Sequence, residues 1–267
     1  MRLCVAQVDC RLGDLEANAH QARATIGAAR RLGAELVVFP ELSLTGYALG
    51  TVEHDTATTA AELPPIAGDT SVLLGFRERE GVQTYNSAAF LQGGSIVHVH
   101  RKLYLVDYPP FDEASLFAPG DAMRAFDTRL GRFATLICND AWQPFLPVIA
   151  VQDGACLLLV PSNSSTAVAE AETYWRELKR FYARILQCYV VFVNRVGSEA
   201  GLTFWGGSHV VDPFGEVVAE APRLEKSLLI ADLDLEAVQR RRRQLPLVGK
   251  FRPELLRAEL ARLAGDA

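Results

Sequence analysis

LICNDAW, Leu136 to Trp142, ends a run of aliphatic residues in a thiol, then sets an amide, a carboxylate and an indole close behind it. With the residues before it, FATLIC (133–138) reads as a buried strand whose last residue is Cys138. Taken alone, Cys138 is a small core hydrophobe, since free cysteine is among the most buried residue types. Two other apolar runs also stop at a residue with chemistry. ELVVF (35–39) leads through Pro40 to Glu41, and SIVHVHR (95–101) leads to Lys102. Ends of buried strands are where layered α/β folds assemble sites.

The rest of the chain alternates in the same manner. RLCVAQV, SVLLGF, CLLLVP, YVVFVNR and SLLIADLD have strand length and composition, and TYNSAAFL with SIVHVHR forms a hairpin across QGGS. GGSHVVDPFGEVVAEAP places two strands about a DPFG turn. Helical spacing occupies residues 15–32, PFLPVIAVQDG, LEAVQRRRRQ and AETYWRELKRFYARILQ; the last carries Trp175, Leu178, Tyr182, Ile185 and Leu186 on one face. Strands buried on both faces with helices between them mean an α/β layered fold. Hairpins interrupt a simple βαβ order, which predicts a sandwich of two mixed sheets with helices outside. No linker, low-complexity tract or repeat interrupts residues 1–267, so one domain is expected.

Composition narrows the function classes. Of 267 residues, 49% are hydrophobic and 22% charged, ordinary values for a globular chain with ample length for a deep core. A net charge of -5 gives no basic field for nucleic acid or an anionic membrane. No apolar stretch has membrane-spanning length, and MRLCVAQVDCRLGDL has no secretory signal pattern. The five cysteines show no CxxC spacing, which argues against disulfide frameworks and zinc ribbons and fits a reducing, cytoplasmic setting.

A thiol, a carboxylate and an ammonium form a coherent chemical set. Cysteine attacks as thiolate and needs a base or cation beside it. Glu41 could take the thiol proton and return it to a leaving amine, and Lys102 could hold an oxyanion, with the backbone N–H of Asn139 as a second donor. Each residue also has an ordinary reading, Glu41 as a solvated loop residue and Lys102 as surface charge, and spacing does not prove that the three meet.

PELSLTGY, HRKLYL and ICNDAW, in that order, resemble the nitrilase superfamily of carbon–nitrogen hydrolases. YNSAAFL, FDEASLFAPGD, LGRFATLIC, DGACLLLVPS, NRVG, GGSHVVDPFGEVV and RRRRQLP extend the likeness over nearly the whole chain. The resemblance implies a four-layer αββα sandwich, no cofactor or metal, and homodimers or higher oligomers. It implies a Glu–Lys–Cys triad at Glu41, Lys102 and Cys138, and a second glutamate at Glu113 in FDEASLF that positions the lysine or water. RKLYLVDYPPFDE and CNDAW are similar to amidase branches, among them the glutaminase domain of glutamine-dependent NAD synthetases, where a tyrosine matching Tyr108 contacts the substrate. Asn139 stands where an acidic or aromatic residue is more usual, and residues 47–70 look short, as if a helix beside the site were trimmed. No ATP-binding domain or GxxxxGK[ST] loop accompanies the motifs.

The expected activity is therefore hydrolysis of a small carboxamide through a cysteine thioester. N-carbamoyl amino acid hydrolysis, nitrile hydrolysis and acyl transfer to an amine are the catalytic alternatives, and a silent scaffold is the non-catalytic one. A carboxylate-bearing substrate would need a pocket cation, for which Arg101, Arg195 and Lys179 are candidates. Asn163 in PSNSST stands after a strand, as a substrate contact or a turn former; Trp142 reads as pocket wall or core. Arg240–Arg243 reads as surface or interface charge, His209 as a core or pocket residue, and His98 and His100 as sharing one sheet face.

Overall fold

The computed structural model describes residues 1–66 and 68–265. The chain enters through strand β1 (Arg2–Gln7), helix α1 (Leu15–Arg31) and β2 (Leu36–Val38), then runs through β3 (Ser71–Glu80), β4 (Gln83–Gln92) and β5 (Ser95–Arg101). It continues as β6 (Ala125–Thr128), β7 (Gly131–Thr135), α2 (Phe145–Gln152), β8 (Leu157–Ser162), α3 (Ala171–Leu186) and β9 (Tyr189–Asn194). A small hairpin, β10 (Val196–Glu199) and β11 (Leu202–Trp205), precedes β12 (His209–Val211), β13 (Val217–Glu220) and β14 (Ser227–Asp232). Helices α4 (Glu236–Gln244) and α5 (Pro253–Ala264) follow. No helix among the described residues is long and apolar enough to cross a membrane.

Two six-stranded mixed sheets result, ordered β14-β1-β2-β3-β4-β5 and β13-β12-β9-β8-β7-β6. Period-two alternation decides which side each residue faces. Leu3, Val5, Leu36, Val38 and Leu73 meet Phe133, Leu157, Leu159, Val191 and Val210 in the core between the sheets. Cys4, Ala6, Val37 and Leu74 turn outward onto Ala19, Ala22, Ile26 and Ala29 of α1. Ala134, Leu158, Val160 and Phe192 turn outward onto Ala150, Trp175 and Ala183 of α2 and α3. The fold is an αββα sandwich of two mixed sheets, as the hairpin-interrupted strand order and the family resemblance predict.

The sheets repeat one pairing pattern. Along β14-β1-β2-β3-β4-β5 and along β6-β7-β8-β9-β12-β13, neighbours pair antiparallel, parallel, parallel, antiparallel and antiparallel. No sequence repeat reveals this, because each half fills its strands with different aliphatics. On α3, Trp175, Tyr182 and Leu186 are buried as expected, but Ile185 is 41% exposed. At roughly 100° per residue it lies about 80° around the helix from Trp175. Lys179 holds the buried position instead.

One carboxylate ties two strand ends together. Asp140 is fully buried, and its Oδ1 accepts the backbone N–H of Leu103 and of Tyr104 at 2.9 Å each. Its Oδ2 accepts the N–H of Ile137 at 3.0 Å and pairs with His100 Nε2 at 2.9 Å. The segment carrying Lys102 is thus fixed against the segment carrying Cys138. Buried donors left unpaired cost about 1–3 kcal/mol each. Asp140→Ala is expected to destabilise the fold by at least about 3 kcal/mol in chemical denaturation; a loss below about 1 kcal/mol would show that this brace is dispensable.

Candidate active site

The three sequence-predicted residues converge where strands of both sheets end. Lys102 follows β5, and its Nζ donates to Glu41 Oε1 and to Glu113 Oε1, 2.7 Å each. The Lys102, Glu41 and Glu113 side chains are buried. Glu41 follows β2 through Phe39 and Pro40; its Oε1 also accepts from Asn86 Nδ2 at 2.8 Å, and its Oε2 accepts the backbone N–H of Asn163 at 2.8 Å. Glu113 Oε1 also accepts from the Tyr47 hydroxyl at 2.7 Å, and its Oε2 accepts the N–H of Val106 at 3.0 Å. Tyr47, Asn86 and Asp140 are site residues that sequence reasoning missed. Tyr47 stands inside PELSLTGY and Asp140 inside ICNDAW, so the motifs held them without marking their roles.

Both turns that present reactive groups are strained. Cys138 has φ +44°, and Leu42, directly after Glu41, has φ +48°. Non-glycine residues in this region cost on the order of 1–2 kcal/mol and cluster at functional sites. The strand FATLIC ends in regular structure at Thr135, and Cys138–Trp142 forms a 3-10 turn that lifts the thiol out of the core. Opposite the Glu41 turn, Gly75 lacks a side chain for a specific reason: a Cβ there would lie 2.2 Å from the Leu42 nitrogen.

Electrostatics follow from this packing. Burial pushes the Glu41 carboxyl above its ordinary value, with Lys102 opposing and Glu113 adding to the rise. Burial works against the Lys102 ammonium, but Glu113 and Glu41 outweigh it and hold that group well above the ordinary lysine range. Burial, and then the Glu41 charge, push the Cys138 thiol up, with Lys102 opposing. The sulfur therefore keeps its proton at neutral pH until a base takes it.

A cavity of about 40 Å³ lies against the thiol, lined by Glu41, Tyr47, Cys138, Asn163 and Trp175 among others. Tyr108, Asn139 and Trp142 also line it, so all the predicted substrate contacts reach one space. Trp142 is also packed edge-on against Trp175, with centroids 5.2 Å apart, so it is wall and core at once. Tyr108 is 48% exposed, at the open side, and meets Phe111 edge-on. The Asn139 side chain donates to the Tyr104 carbonyl at 3.2 Å. Residues 47–70 hold two 3-10 turns, Leu49–Thr51 and Ala60–Glu62, with Ala67 outside the described residues. A second cavity of about 280 Å³ opens beyond Tyr47 and Phe111, bordered by Ala48, Gly50, Thr51 and Asp112.

The three candidate cations lie elsewhere. Arg101 is forked onto Glu78 and Glu80. Arg195 is buried between Asp9 at 3.0 Å and Glu199 at 2.7 Å. Lys179 Nζ sits 3.5 Å from the ring centroids of Trp175 and of Phe192, and burial holds it well below the ordinary lysine range. His209 packs on Phe192 away from this cavity, with its Nδ1 at the Gly207 carbonyl. His98 stacks on Phe126, and His100 is held by Asp140. Arg240 pairs with Asp234, and Arg242 donates to the Ala155 carbonyl. No group of three or more His, Cys, Asp and Glu side chains among the described residues is placed to hold a metal ion.

Comparison with known proteins agrees with this fold. Residues 2–243 match the carbon-nitrogen hydrolase family model. An omega-amidase from Bos taurus is 31% identical over 258 residues, covering 91% of this chain and 92% of that one. A glutamine-dependent NAD(+) synthetase from Thermotoga maritima is 30% identical over 248 residues, which cover 88% of this chain and 42% of that one, so the chain spans less than half of that relative. The crystal structure of an amidase from Nesterenkonia sp. superposes with a TM-score of 0.77 at 27% identity, over 92% of this chain and 94% of that one. The chain belongs to the carbon-nitrogen hydrolase family.

Proposed function

We propose that this protein hydrolyses a small carboxamide lacking a carboxylate, through a thioester on Cys138. The observation that carries the reading is the Lys102 ammonium held at 2.7 Å from both Glu41 and Glu113, next to a cavity that Glu41 and Cys138 both line. Cys138 Sγ attacks the amide carbon while Glu41 takes the thiol proton. The carbonyl oxygen gains negative charge, which Lys102 and the Asn139 N–H stabilise beside the buried Glu41 and Glu113. The C–N bond breaks, the nitrogen takes the proton from Glu41, and ammonia leaves. Water then gives a proton to Glu41 and attacks the thioester, and the acid departs as Sγ recovers its proton. Glu113 holds Lys102 in place.

Two points support this reading. The elevated Glu41 carboxyl suits a group that must both take and return a proton near neutral pH. A structure of a Glu-to-Gln mutant of the Nesterenkonia amidase, 25% identical to this chain, shows the result of Michael addition of acrylamide at the active site cysteine. Against the N-carbamoyl amino acid alternative stands the cavity lining. Lys102, behind Glu41, is already committed to two carboxylates and the oxyanion, and no Lys or Arg among the described residues lines the cavity to meet a further carboxylate. A buried carboxylate without a cation is costly. We further propose self-association through the exposed Tyr174, Phe181 and Ile185 of α3.

Ammonia release is expected from short neutral amides and to be absent with N-carbamoyl amino acids; the reverse order would overturn the substrate reading. Glu41→Gln should lower kcat/KM by about 10²–10⁴-fold. The acid limb has a definite sign. Glu41 acts as base only when ionised, and its folded value is raised, so activity should fall as pH drops through a midpoint above the ordinary 4.5. A kcat/KM profile flat down to that value would exclude Glu41 as the base.

A further inference from the structure

Asn163 follows β8, is 3% exposed and lines the Cys138 cavity. Its backbone N–H donates to Glu41 Oε2 at 2.8 Å, and its Nδ2 donates to the Glu41 backbone carbonyl at 2.9 Å. The second bond fixes the orientation of the side-chain amide, because the opposite orientation would set Oδ1 against another acceptor. Oδ1 is then a buried acceptor with no partner among the described residues. Among the buried side-chain atoms so left, it is the one that belongs to a residue lining this cavity. An acceptor left unpaired in such a place carries a penalty that a donor on a ligand removes.

We infer that Asn163 Oδ1 accepts an N–H of the substrate's carboxamide nitrogen and makes the site selective for amides over esters and nitriles of the same acyl group. The inference rests on the reaction proposed above. Once the carbonyl oxygen faces Lys102 and the Asn139 N–H, the amide nitrogen is left toward Glu41, which must give it a proton. Asn163 clasps Glu41 at both its carboxylate and its backbone carbonyl, and the two residues line the same cavity, so the acceptor belongs to the part of the site that this proton donor serves. Holding one N–H there orients the nitrogen for protonation as the C–N bond breaks. An ester oxygen or a nitrile nitrogen has only lone pairs to offer Oδ1, and sites that leave a buried polar group unpaired reject such analogues.

The test compares kcat/KM for the primary amide, methyl ester and nitrile of one acyl group in wild type, Asn163→Ala and Asn163→Ser. Ester turnover reports the state of Cys138 and Glu41 without needing an N–H on the substrate. The amide is expected to lose about 10- to 100-fold more than the ester in both variants, since an unmade buried hydrogen bond costs about 1–3 kcal/mol. Equal losses on amide and ester would overturn the inference and leave Asn163 as a support for Glu41. If neither variant folds, wild type still decides it: the nitrile must be turned over far more slowly than the amide, and equal rates would overturn the inference. Amide turnover that survives Cys138→Ala would instead strike the underlying reaction.

Discussion

A lysine ammonium out of reach of water is the constraint on which this site depends. Removing an ion from water costs several kcal/mol after relaxation, and only close opposite charge with full hydrogen bonding offsets it. Lys102 meets that demand with Glu41 and Glu113, each at 2.7 Å. Two carboxylates and one ammonium leave an excess negative charge. Asn86 Nδ2, the Tyr47 hydroxyl and the N–H groups of Val106 and Asn163 donate into it. This distribution explains why burial can raise Glu41 without dissolving the cluster. It also draws the loops after β2, β5 and β8 to one point, so the site is built between the sheets and depends on both.

The repeated pairing pattern gives that convergence a geometric basis. Glu41 follows β2 and Asn163 follows β8, and these strands hold equivalent places in their sheets. The two residues meet through two hydrogen bonds: the Asn163 backbone N–H donates to the Glu41 carboxylate, and the Asn163 side-chain amide donates to the Glu41 backbone carbonyl. Asp140 supplies the other cross-tie, from the Cys138 turn to the backbone after Lys102. Strain at Cys138 and Leu42 persists because these ties over-determine both turns.

Glu41 and Cys138 were legible because one follows and the other ends an apolar run that is buried in the fold, and a polar group at such an end has few places to go. Lys102 follows β5, an edge strand whose Ile96 and Val97 are exposed, so the burial expected of that run does not hold and the HRKLYL motif carried the reading. Apolar runs of strand length, with hairpins interrupting a simple βαβ order, likewise revealed both sheets. Side-chain partners were not legible. Asn86 lies mid-strand in YNSAAFL, where nothing local distinguishes a packed amide from one that reaches Glu41 across a neighbouring strand. Tyr47 looks like any aromatic after a glycine until the fold brings Glu113 within 2.7 Å of its hydroxyl. Lys179 misled as a candidate anion binder, since helical spacing shows that a residue faces inward but not whether it meets a ligand or two aromatic rings. The short β6 and the β10–β11 hairpin escaped notice because strands of four residues carry too little alternation to stand out.

The central claim is that Cys138 carries the acyl group. Rapid acid quenching of the enzyme turning over a slow amide, followed by intact mass and peptide mapping, tests it most directly. The account predicts an adduct with the mass of the acyl group, on the peptide containing Cys138, that disappears when hydroxylamine is added before the quench. Steady turnover with every cysteine unmodified, or an adduct that maps to Cys156 or Cys188 instead, would contradict it.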